Sequence, residues 1–305
     1  LHLSIRRQRQ MCIRDRDEAG TEVTVSFAGQ THTAKTGKDG RWQVSLTAMK
    51  ANAKGAALTI KGSSIVKLED VLVGEVWLCS GQSNMEWTVS RSANPKEEIA
   101  NGNHPLIRHI KSPHKLSPQP PDNVSSSGWQ PCTPQVVANF TAVGYYFGRH
   151  LHKELNVPVG LIGSNWGGTR IEPWTPPVGF KSVPALKKNF ADKLDQFASA
   201  KPGRGTPSHM YNAMIHPLLP YTIKGALWYQ GESNSGRAKA YRNVFPLMIQ
   251  NWRDEWDQGD FPFYWVQLAD FREELKEPVD DNWAELREAQ TMTTVSYTHL
   301  RAHET

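Results

Sequence analysis

Ser83 lies within GEVWLCSGQSNMEW, residues 74–87, where an apolar stretch gives way to a short polar turn. A serine just past a parallel strand presents its Oγ at the sheet edge, where the following backbone N–H groups can stabilise an oxyanion. This placement favours a nucleophile for acyl transfer. A serine followed by asparagine is also a good helix N-terminus, so a capping role is the alternative.

A second segment, GLIGSNWGGTRIEPW at residues 160–174, carries Gly167 and Gly168 after another apolar run. Glycine lets the backbone approach a ligand closely, so an amide of this turn could donate to a developing oxyanion. A turn that only needs positive φ explains the same residues equally well.

A third segment, GALWYQGESNS at residues 225–235, ends its apolar run in Gln230, Glu232 and Asn234. Two amides and a carboxylate at a strand end fit an oxyanion donor with a supporting acid. Taken alone, the cluster could also cap a loop.

The elements that position these residues alternate along the second part of the chain. Apolar runs with the character of buried parallel strands occupy residues 71–82, 159–168, 223–233 and 261–270. Helical stretches are predicted at residues 141–155, 184–198, 238–256 and 282–291. This alternation predicts an α/β fold with a doubly wound parallel sheet and an active site at the carboxyl ends of its strands.

The remaining segments suggest how the chain is divided. Residues 17–70 show period-two alternation with turn residues between the runs, which predicts part of a small β-sandwich module. The hydrolytic domain is then predicted at residues 71–294, with a long Pro/Ser-rich loop at 112–134 that shapes its site. Residues 1–16 and 295–305 lack this patterning and are predicted to be non-native tails.

Composition excludes several classes of protein. Much of the net charge of +5 comes from the arginines of residues 1–16, so nucleic-acid binding gains no support. No run approaches the roughly eighteen apolar residues of a membrane span. Tryptophan is abundant, at 11 residues, and several indole rings could line a carbohydrate cleft because they combine an apolar face with a polar edge.

The three segments in this order, GQSNM, SNWGGT and WYQGESN, with YNAMIHPL before the last, resemble the SGNH hydrolases. Within them the chain is similar to the sialate O-acetylesterases and the related acetylxylan esterases, over about residues 71–290. The resemblance implies a flavodoxin-like sheet, an O-acetylated sugar as substrate, and neither metal nor cofactor. It also favours a periplasmic or secreted protein, although nothing else in the sequence fixes the compartment.

The resemblance also implies a role for each residue of the motifs. Ser83 would be the nucleophile, with the amides of Ser83 and Gly168 and the side chain of Gln230 as the oxyanion hole. Glu232 and Asn234 would support the site, Asn234 being the alternative donor. The residues expected to bind substrate are Asn84, Arg170, Trp174 and His216.

The family's Asp-x-x-His element occurs nowhere in the sequence. Since that histidine would accept the serine proton, this chain is expected to be inactive or feeble. His216 is interpreted as a buried or cleft-wall residue, and His104, His109 and His114 as surface loop residues.

The predicted function is therefore hydrolysis of sugar acetates through an acetyl-serine. An acetylxylan-type deacetylase and a non-catalytic carbohydrate-binding protein are the alternatives. A lipase-like hydrolase would instead carry a G-x-S-x-G elbow, whereas Met85 stands two residues after Ser83.

Overall fold

The computed structural model describes residues 2–4, 11–271, 277 and 279–295. Residues 296–305, which hold His299 and His303 of the predicted carboxyl tail, lie outside the described residues, as do residues 1 and 5–10 of the predicted amino tail. Residues 11–16 of that amino tail form a strand that pairs with residues 41–46.

Short strands dominate the first third of the chain, and strands alternate with helices after it. The strands are β1 (His2–Ser4), β2 (Met11–Arg16), β3 (Glu22–Phe27), β4 (Gln30–Lys35), β5 (Arg41–Leu46), β6 (Asn52–Lys61), β7 (Ile65–Gly81), β8 (His104–Lys111), β9 (Gln130–Cys132), β10 (Val159–Asn165), β11 (Gly225–Tyr229) and β12 (Phe263–Trp265). The α-helices are α1 (Ser83–Glu86), α2 (Pro95–Ala100), α3 (Ala142–Leu155), α4 (Gly179–Ser182), α5 (Leu194–Ser199), α6 (Ala238–Trp256) and α7 (Asn282–Val295). Single 3-10 turns and one π-helical turn, at Tyr211–Ile215, lie between them.

Strands β2 to β6 and the first half of β7 pair antiparallel around a small apolar core, whereas β1 pairs parallel with residues 72–74 of β7. β3 lies between β4 and β6, and β6 pairs with the first half of β7. Every second residue of β3 points inward, so Val23, Val25 and Phe27 are buried, and Trp42 and Val44 of β5 pack against them. The period-two alternation of the sequence therefore marks the inward face of these strands.

Within the described residues, five of the ten strands of the main sheet run parallel in the order β8-β10-β7-β11-β12. This order departs from the predicted flavodoxin-like one, in which the first strand lies beside the second. Here β10 separates β7 from β8. The strands that follow β7 are added first on one side of it and later on the other, and such a reversal opens a crevice at the carboxyl end of the central strand.

The sequence did not predict β8, and this omission hid the strand order. His104 and His109 belong to this strand rather than to a surface loop. His109 is buried against Phe140, with ring centroids 4.5 Å apart. Because HPLIRHIK mixes basic and apolar residues, its buried centre of three consecutive residues gives no clear period-two signal.

β7 runs without interruption through the predicted domain boundary at residues 70 and 71. The boundary coincides with a local irregularity, since Asp70 has a positive φ of 54° and the pairing of β6 with β7 shifts register nearby. The buried Arg108 of β8 donates to the backbone oxygen of Asp70 at 2.7 Å and to its carboxylate at 2.7 Å. The continuous strand β7 and the pair of Arg108 with Asp70 thus both join the two parts of the sheet.

The central strand buries both of its faces. Val76 and Leu78 pack with residues of α6, whereas Trp77 and Cys79 pack with residues of α3 on the opposite face. All four side chains are at most 3% exposed, and burying a large apolar side chain contributes about 1.5–3 kcal/mol. The apolar run of residues 71–82 is therefore the sequence of a strand covered on both sides.

The predicted helices at residues 141–155, 238–256 and 282–291 are confirmed as α3, α6 and α7. Thr141 caps α3 by accepting from the Gly144 N–H at 3.4 Å.

None of the helices within the described ranges is both long and apolar enough to cross a membrane.

The helix predicted at residues 184–198 is instead broken into two 3-10 turns and the short α5. Its apolar residues have helical spacing, but Phe190 turns inward and stacks on Phe180 with centroids 4.8 Å apart. A tertiary contact here outweighs local helix propensity.

Candidate functional site

Three strand ends meet where Ser83 begins α1. In the sheet, Gly81 of β7 pairs with Asn165 of β10 on one side and with Tyr229 of β11 on the other. Each of the three sequence segments singled out above continues from one of these strands. The parallel arrangement therefore brings all three to the same edge of the sheet.

The turn into Ser83 depends on a glycine. Gly81 has a φ of +137°, and a Cβ at this position would lie 2.2 Å from the backbone oxygen of Tyr229. Gln82 then donates its N–H to the same oxygen at 2.9 Å. Ser83 is exposed directly after this close approach, so its hydroxyl lies at the surface of the strand edge.

The glycine turn after β10 lies directly beside Ser83. Trp166 donates its N–H to the backbone oxygen of Gly81 at 3.0 Å, which fixes the start of the turn. A Cβ on Gly167 would be 3.5 Å from the Cβ of Ser83. Gly168 follows with a φ of +69° and is exposed, so the turn needs glycine at this position.

Gln230 stabilises the glycine turn through hydrogen bonds from the buried side of the sheet edge. Its fully buried side chain donates through Nε2 to the Thr169 backbone oxygen at 3.1 Å and to Asn234 Oδ1 at 2.7 Å. Asn234 Oδ1 also accepts from the Ile171 N–H at 2.9 Å. Because Nε2 already has these two acceptors, Gln230 holds the turn in place, although the sequence predicts that it donates to an oxyanion.

Asn234 completes this buried network. Its Nδ2 donates to Glu172 Oε2 at 3.0 Å, and Arg237 approaches the other oxygen of Glu172 at 3.3 Å. Glu172 is 2% exposed, and a buried carboxylate is stable only when it is paired and hydrogen-bonded. The third segment thus supports the second through side-chain amides.

Asn84 links the nucleophile turn to the third segment. Its Nδ2 donates to Glu232 Oε1 at 2.6 Å. Burial raises the pKa of the Glu232 carboxyl, although hydrogen bonds from backbone N–H groups and from Asn84 act in the opposite direction. This contact holds the residue after Ser83 against the loop that follows β11.

Glu86 belongs to the site although its sequence position did not predict it. Its Oε2 accepts from the Gly167 N–H at 2.8 Å, and its Oε1 lies 2.8 Å from His114 Nε2 and 3.4 Å from Lys111 Nζ. The carboxylate therefore ties the turn of Ser83 to the glycine turn. The only signal in the sequence was an acid three residues after the serine, which a short helix brings back to the same edge.

His114 and Trp166 form a stacked pair beside this carboxylate. Their ring centroids are 4.3 Å apart and their planes differ by 4°. His114 lies in the long loop, as predicted, and it is exposed, but it is also fixed by Glu86 and by the indole. The exposed His114 ring and the half-buried Trp166 ring together form a flat surface that is suited to contact with a sugar face.

Two of the predicted substrate-binding residues, Arg170 and Trp174, are placed differently from each other. Arg170 is exposed after the glycine turn. Trp174 is fully buried, donates through Nε1 to Thr169 Oγ1 at 3.0 Å and packs edge-on against Trp228. Its ring therefore supports the turn from the core rather than lining an open cleft.

His216 is not brought to this group of residues. It lies edge-on to Tyr211 and lines a cavity together with Glu255. Glu255 is in the last turn of α6, whose first turn follows the loop of Asn234, and eighteen residues of helix span roughly 25 Å. The histidine thus belongs to a second location, further from the strand edge.

The other histidines have partners of their own. His209 is buried, and its Nε2 lies 2.8 Å from the Phe197 backbone oxygen. Burial, with a smaller contribution from Lys111, lowers the pKa of His109 to about 3. In the part of the chain that the structure describes, no histidine hydrogen-bonds to Ser83.

Comparison with known proteins gives a consistent result. The family described as "Carbohydrate esterase, sialic acid-specific acetylesterase" matches residues 73–304. Sialate O-acetylesterases from Homo sapiens and Pongo abelii are each 36% identical over 242 residues, which is 74% of this chain and 45% of theirs. The chain thus spans about half the length of the curated relatives it matches.

A solved structure agrees in fold as well as in sequence. A carbohydrate acetylesterase from Xanthomonas citri superposes with a TM-score of 0.84 at 34% identity, covering 96% of this chain and 64% of that one. A mixed α/β sheet with flanking helices is therefore shared with a known carbohydrate acetylesterase. On the family match, the sequence relatives and the shared fold, the chain belongs to the sialic acid-specific acetylesterase family of carbohydrate esterases.

Proposed function

We propose that the chain carries the nucleophile part of a serine esterase that removes O-acetyl groups from sugars. The observation that carries this proposal is the position of Ser83, exposed at the strand edge with the Gly167–Gly168 turn packed against it. The Gly167 N–H is held by Glu86, so the amides of Ser83 and Gly168 are the two proposed to face the oxyanion, and a hydroxyl beside such amides is the arrangement that acyl transfer requires.

In the proposed reaction, Ser83 Oγ attacks the carbonyl carbon of the acetyl ester while its proton passes to a base. The oxygen of the tetrahedral intermediate accepts hydrogen bonds from the N–H groups of Ser83 and Gly168. The sugar hydroxyl leaves with a proton, and water then attacks the acetyl-serine to release acetate. Gln230 and Asn234 contribute by holding the glycine turn, and Gln230 could donate directly only by giving up a present hydrogen bond.

The base is assigned to the part of the longer relatives that this chain does not span. The sequence contains no Asp-x-x-His, and acid–base assistance typically contributes about 10²–10⁴-fold. We therefore expect this chain to form the acetyl-serine slowly with an activated ester and to turn over poorly.

We also assign the α/β part to the doubly wound SGNH hydrolases, preceded by a β-sandwich module. Support comes from the parallel strands with helices packed on both faces, and from the three segments that meet at their carboxyl ends. The strand order β8-β10-β7-β11-β12 is a feature that this assignment has to accommodate.

Acetylation of the serine by 4-nitrophenyl acetate tests the proposal. After incubation, mass spectrometry of the digested protein should find the acetyl group on the peptide that carries Ser83, and Ser83→Ala should remove it. Ser90→Ala is the matched control, because Ser90 is also exposed and lies one short turn away. Equal acetylation of the Ser83→Ala protein would favour the non-catalytic carbohydrate-binding alternative.

A further inference from the structure

One tryptophan of this protein is exposed, and it follows the nucleophile by four residues. The chain has 11 tryptophans, all of them within the residues that the structure describes, and among these Trp87 alone is exposed, at 45%. The others are buried or half-buried. Because the interior does not use most of the Trp87 ring, its role has to be sought at the surface on which it lies.

Helix α1 places Trp87 on the same face as Ser83. The helix begins at Ser83 and ends at Glu86, and Trp87 follows with a φ of −57°, which is still the value of an α-helix. Residues four apart on a helix have Cβ atoms about 5–6 Å apart. The burial pattern agrees, since Ser83 and Trp87 are exposed whereas Met85 between them is buried. The indole therefore leaves the backbone within about 6 Å of the Ser83 Cβ.

Contacts on one edge and one face hold the indole in place. Its Nε1 donates to the backbone oxygen of Arg91 at 2.8 Å, and the Arg91 guanidinium lies over the ring, 5.8 Å from its centroid. The backbone of Trp87 is fixed as well, because its carbonyl oxygen accepts from the Ala142 N–H at 2.8 Å. The opposite face of the ring is left for a ligand, which binds a fixed ring at little cost in conformational entropy.

The surroundings of the ring favour a ligand with one flat apolar face. The exposed residues that follow Trp87, Ser90 and Arg91, are polar, so the apolar surface does not continue along the chain. A long acyl chain needs a continuous apolar surface. A sugar ring needs only one flat partner, because its C–H groups can lie on the indole while its hydroxyls stay in water.

A second aromatic surface lies beside the serine on a different segment. The Cβ position of Gly167 is 3.5 Å from the Ser83 Cβ, and the preceding residue, Trp166, stacks on His114. Ser83 therefore has rings near it both from its own helix and from the turn after β10. Of these, Trp87 is the ring that is carried by the same short helix as the nucleophile, so its distance from Ser83 is fixed.

We propose that Trp87 is a substrate-binding residue whose free indole face receives the ring that carries the acetyl ester, so that the ester is presented to Ser83 one helical turn away. The inference rests on the proposed esterase function and adds to it a contact that determines specificity. Acetyl esters attached to a sugar ring should bind more tightly than acetyl esters of open-chain alcohols, which have no face to stack.

Fluorescence quenching by iodide tests the contact directly. Iodide quenches the indoles that water reaches, and Trp87 is the exposed one among the described residues. The probes are 9-O-acetyl-N-acetylneuraminic acid and acetylated xylobiose, with butyl acetate as the open-chain comparison. At least one of the two sugar acetates should protect the fluorescence from iodide, and butyl acetate at the same concentration should not.

Calorimetric titration of variants with the protecting sugar acetate measures the contribution of the ring. Trp87→Ala should weaken binding about tenfold or more, because the apolar face of the sugar loses its partner. Trp87→Phe keeps a smaller ring and should weaken binding only about threefold, which guards against a general effect on folding. Ile65→Ala is the matched control, since Ile65 is also exposed, at 68%, but begins β7 at the end opposite to Gly81. It should bind as the unaltered protein does.

The outcomes separate this proposal from the esterase proposal. Failure of both sugar acetates to protect the fluorescence, or unchanged affinity in Trp87→Ala, would overturn the role of Trp87. Acetylation of Ser83 by 4-nitrophenyl acetate is measured independently in the unaltered protein. Sugar binding that depends on Trp87 without any acetylation of Ser83 would overturn the esterase proposal and leave the indole contact standing.

Discussion

Glu86 is the residue whose replacement should reveal how the site is held together. Glu86→Ala removes the acceptor of the Gly167 N–H and the partner of His114 and Lys111. A hydrogen bond to a charged group contributes about 1.5–3 kcal/mol, and an exposed ion pair contributes about 0–1 kcal/mol. With the Glu86 side chain 24% exposed, the free energy of unfolding should fall by about 2–3 kcal/mol.

The same change should slow the acetylation of Ser83. Complete removal of an oxyanion donor typically costs about 10²–10³-fold, so a displaced glycine turn should cost about ten- to a hundredfold. Glu86→Gln keeps an oxygen that can accept from the Gly167 N–H. Its free energy of unfolding should fall about half as much as that of Glu86→Ala, and its acetylation should be slowed less.

Urea denaturation and the rate of acetylation by 4-nitrophenyl acetate measure the two effects. Glu98→Ala is the matched control, since Glu98 has a similarly exposed side chain and pairs with Arg149 at 2.6 Å, but is not hydrogen-bonded to the glycine turn. The free energy of unfolding of Glu98→Ala should fall by at most about 1 kcal/mol, and its acetylation rate should be unchanged. An unchanged acetylation rate in Glu86→Ala would refute the idea that this carboxylate positions the turn.

Three further predictions concern the frame around the site. His109 takes up a proton below about pH 6.5 in the unfolded state but only below about pH 3 in the folded state. The free energy of unfolding should therefore fall by about 1.4 kcal/mol for each pH unit of acidification between these two values. His109→Leu should flatten that slope in urea titrations between pH 7 and pH 4, and an equal slope would contradict the assignment. Gly81→Ala should lose at least about 2 kcal/mol and abolish acetylation, because its Cβ would clash with Tyr229; a fully stable variant would show that the turn can move. Thr141→Ala should lose about 1–2 kcal/mol in thermal unfolding, since its hydroxyl donates to the Met85 backbone oxygen at 2.6 Å and caps α3; a loss near zero would show that neither contact matters.

The sequence predicted the strand ends well because each was marked by two kinds of local signal. An apolar run followed by glycine or a polar cluster located β7, β10 and β11, and parallel pairing then required Ser83, Gly168 and Gln230 to share one edge. Helices α3 and α6 were equally clear, because each has a long periodic pattern.

The directions of side chains could not be predicted in the same way. Tryptophan is a residue type expected in a sugar-binding cleft, but Trp174 lies in the core. Gln230 directs its side-chain donors inward. Both outcomes depend on partners that are far away in the chain, as does the role of Glu86. Strand β8 was missed because Arg108 and His109, two of the three residues in its buried centre, are basic, and its pairing with β10 decides the strand order.

The uninterrupted course of β7, from Ile65 to Gly81, has a consequence for anyone who shortens this protein. A chain that begins at residue 71 would sever the strand in its middle and strip β6 from residues 71 and 73. The bare edge would expose unpaired amides and apolar side chains, the combination that seeds aggregation. Amino-terminal trimming should therefore spare β2 as well as β3 to β6, because β2 is the pairing partner of β5.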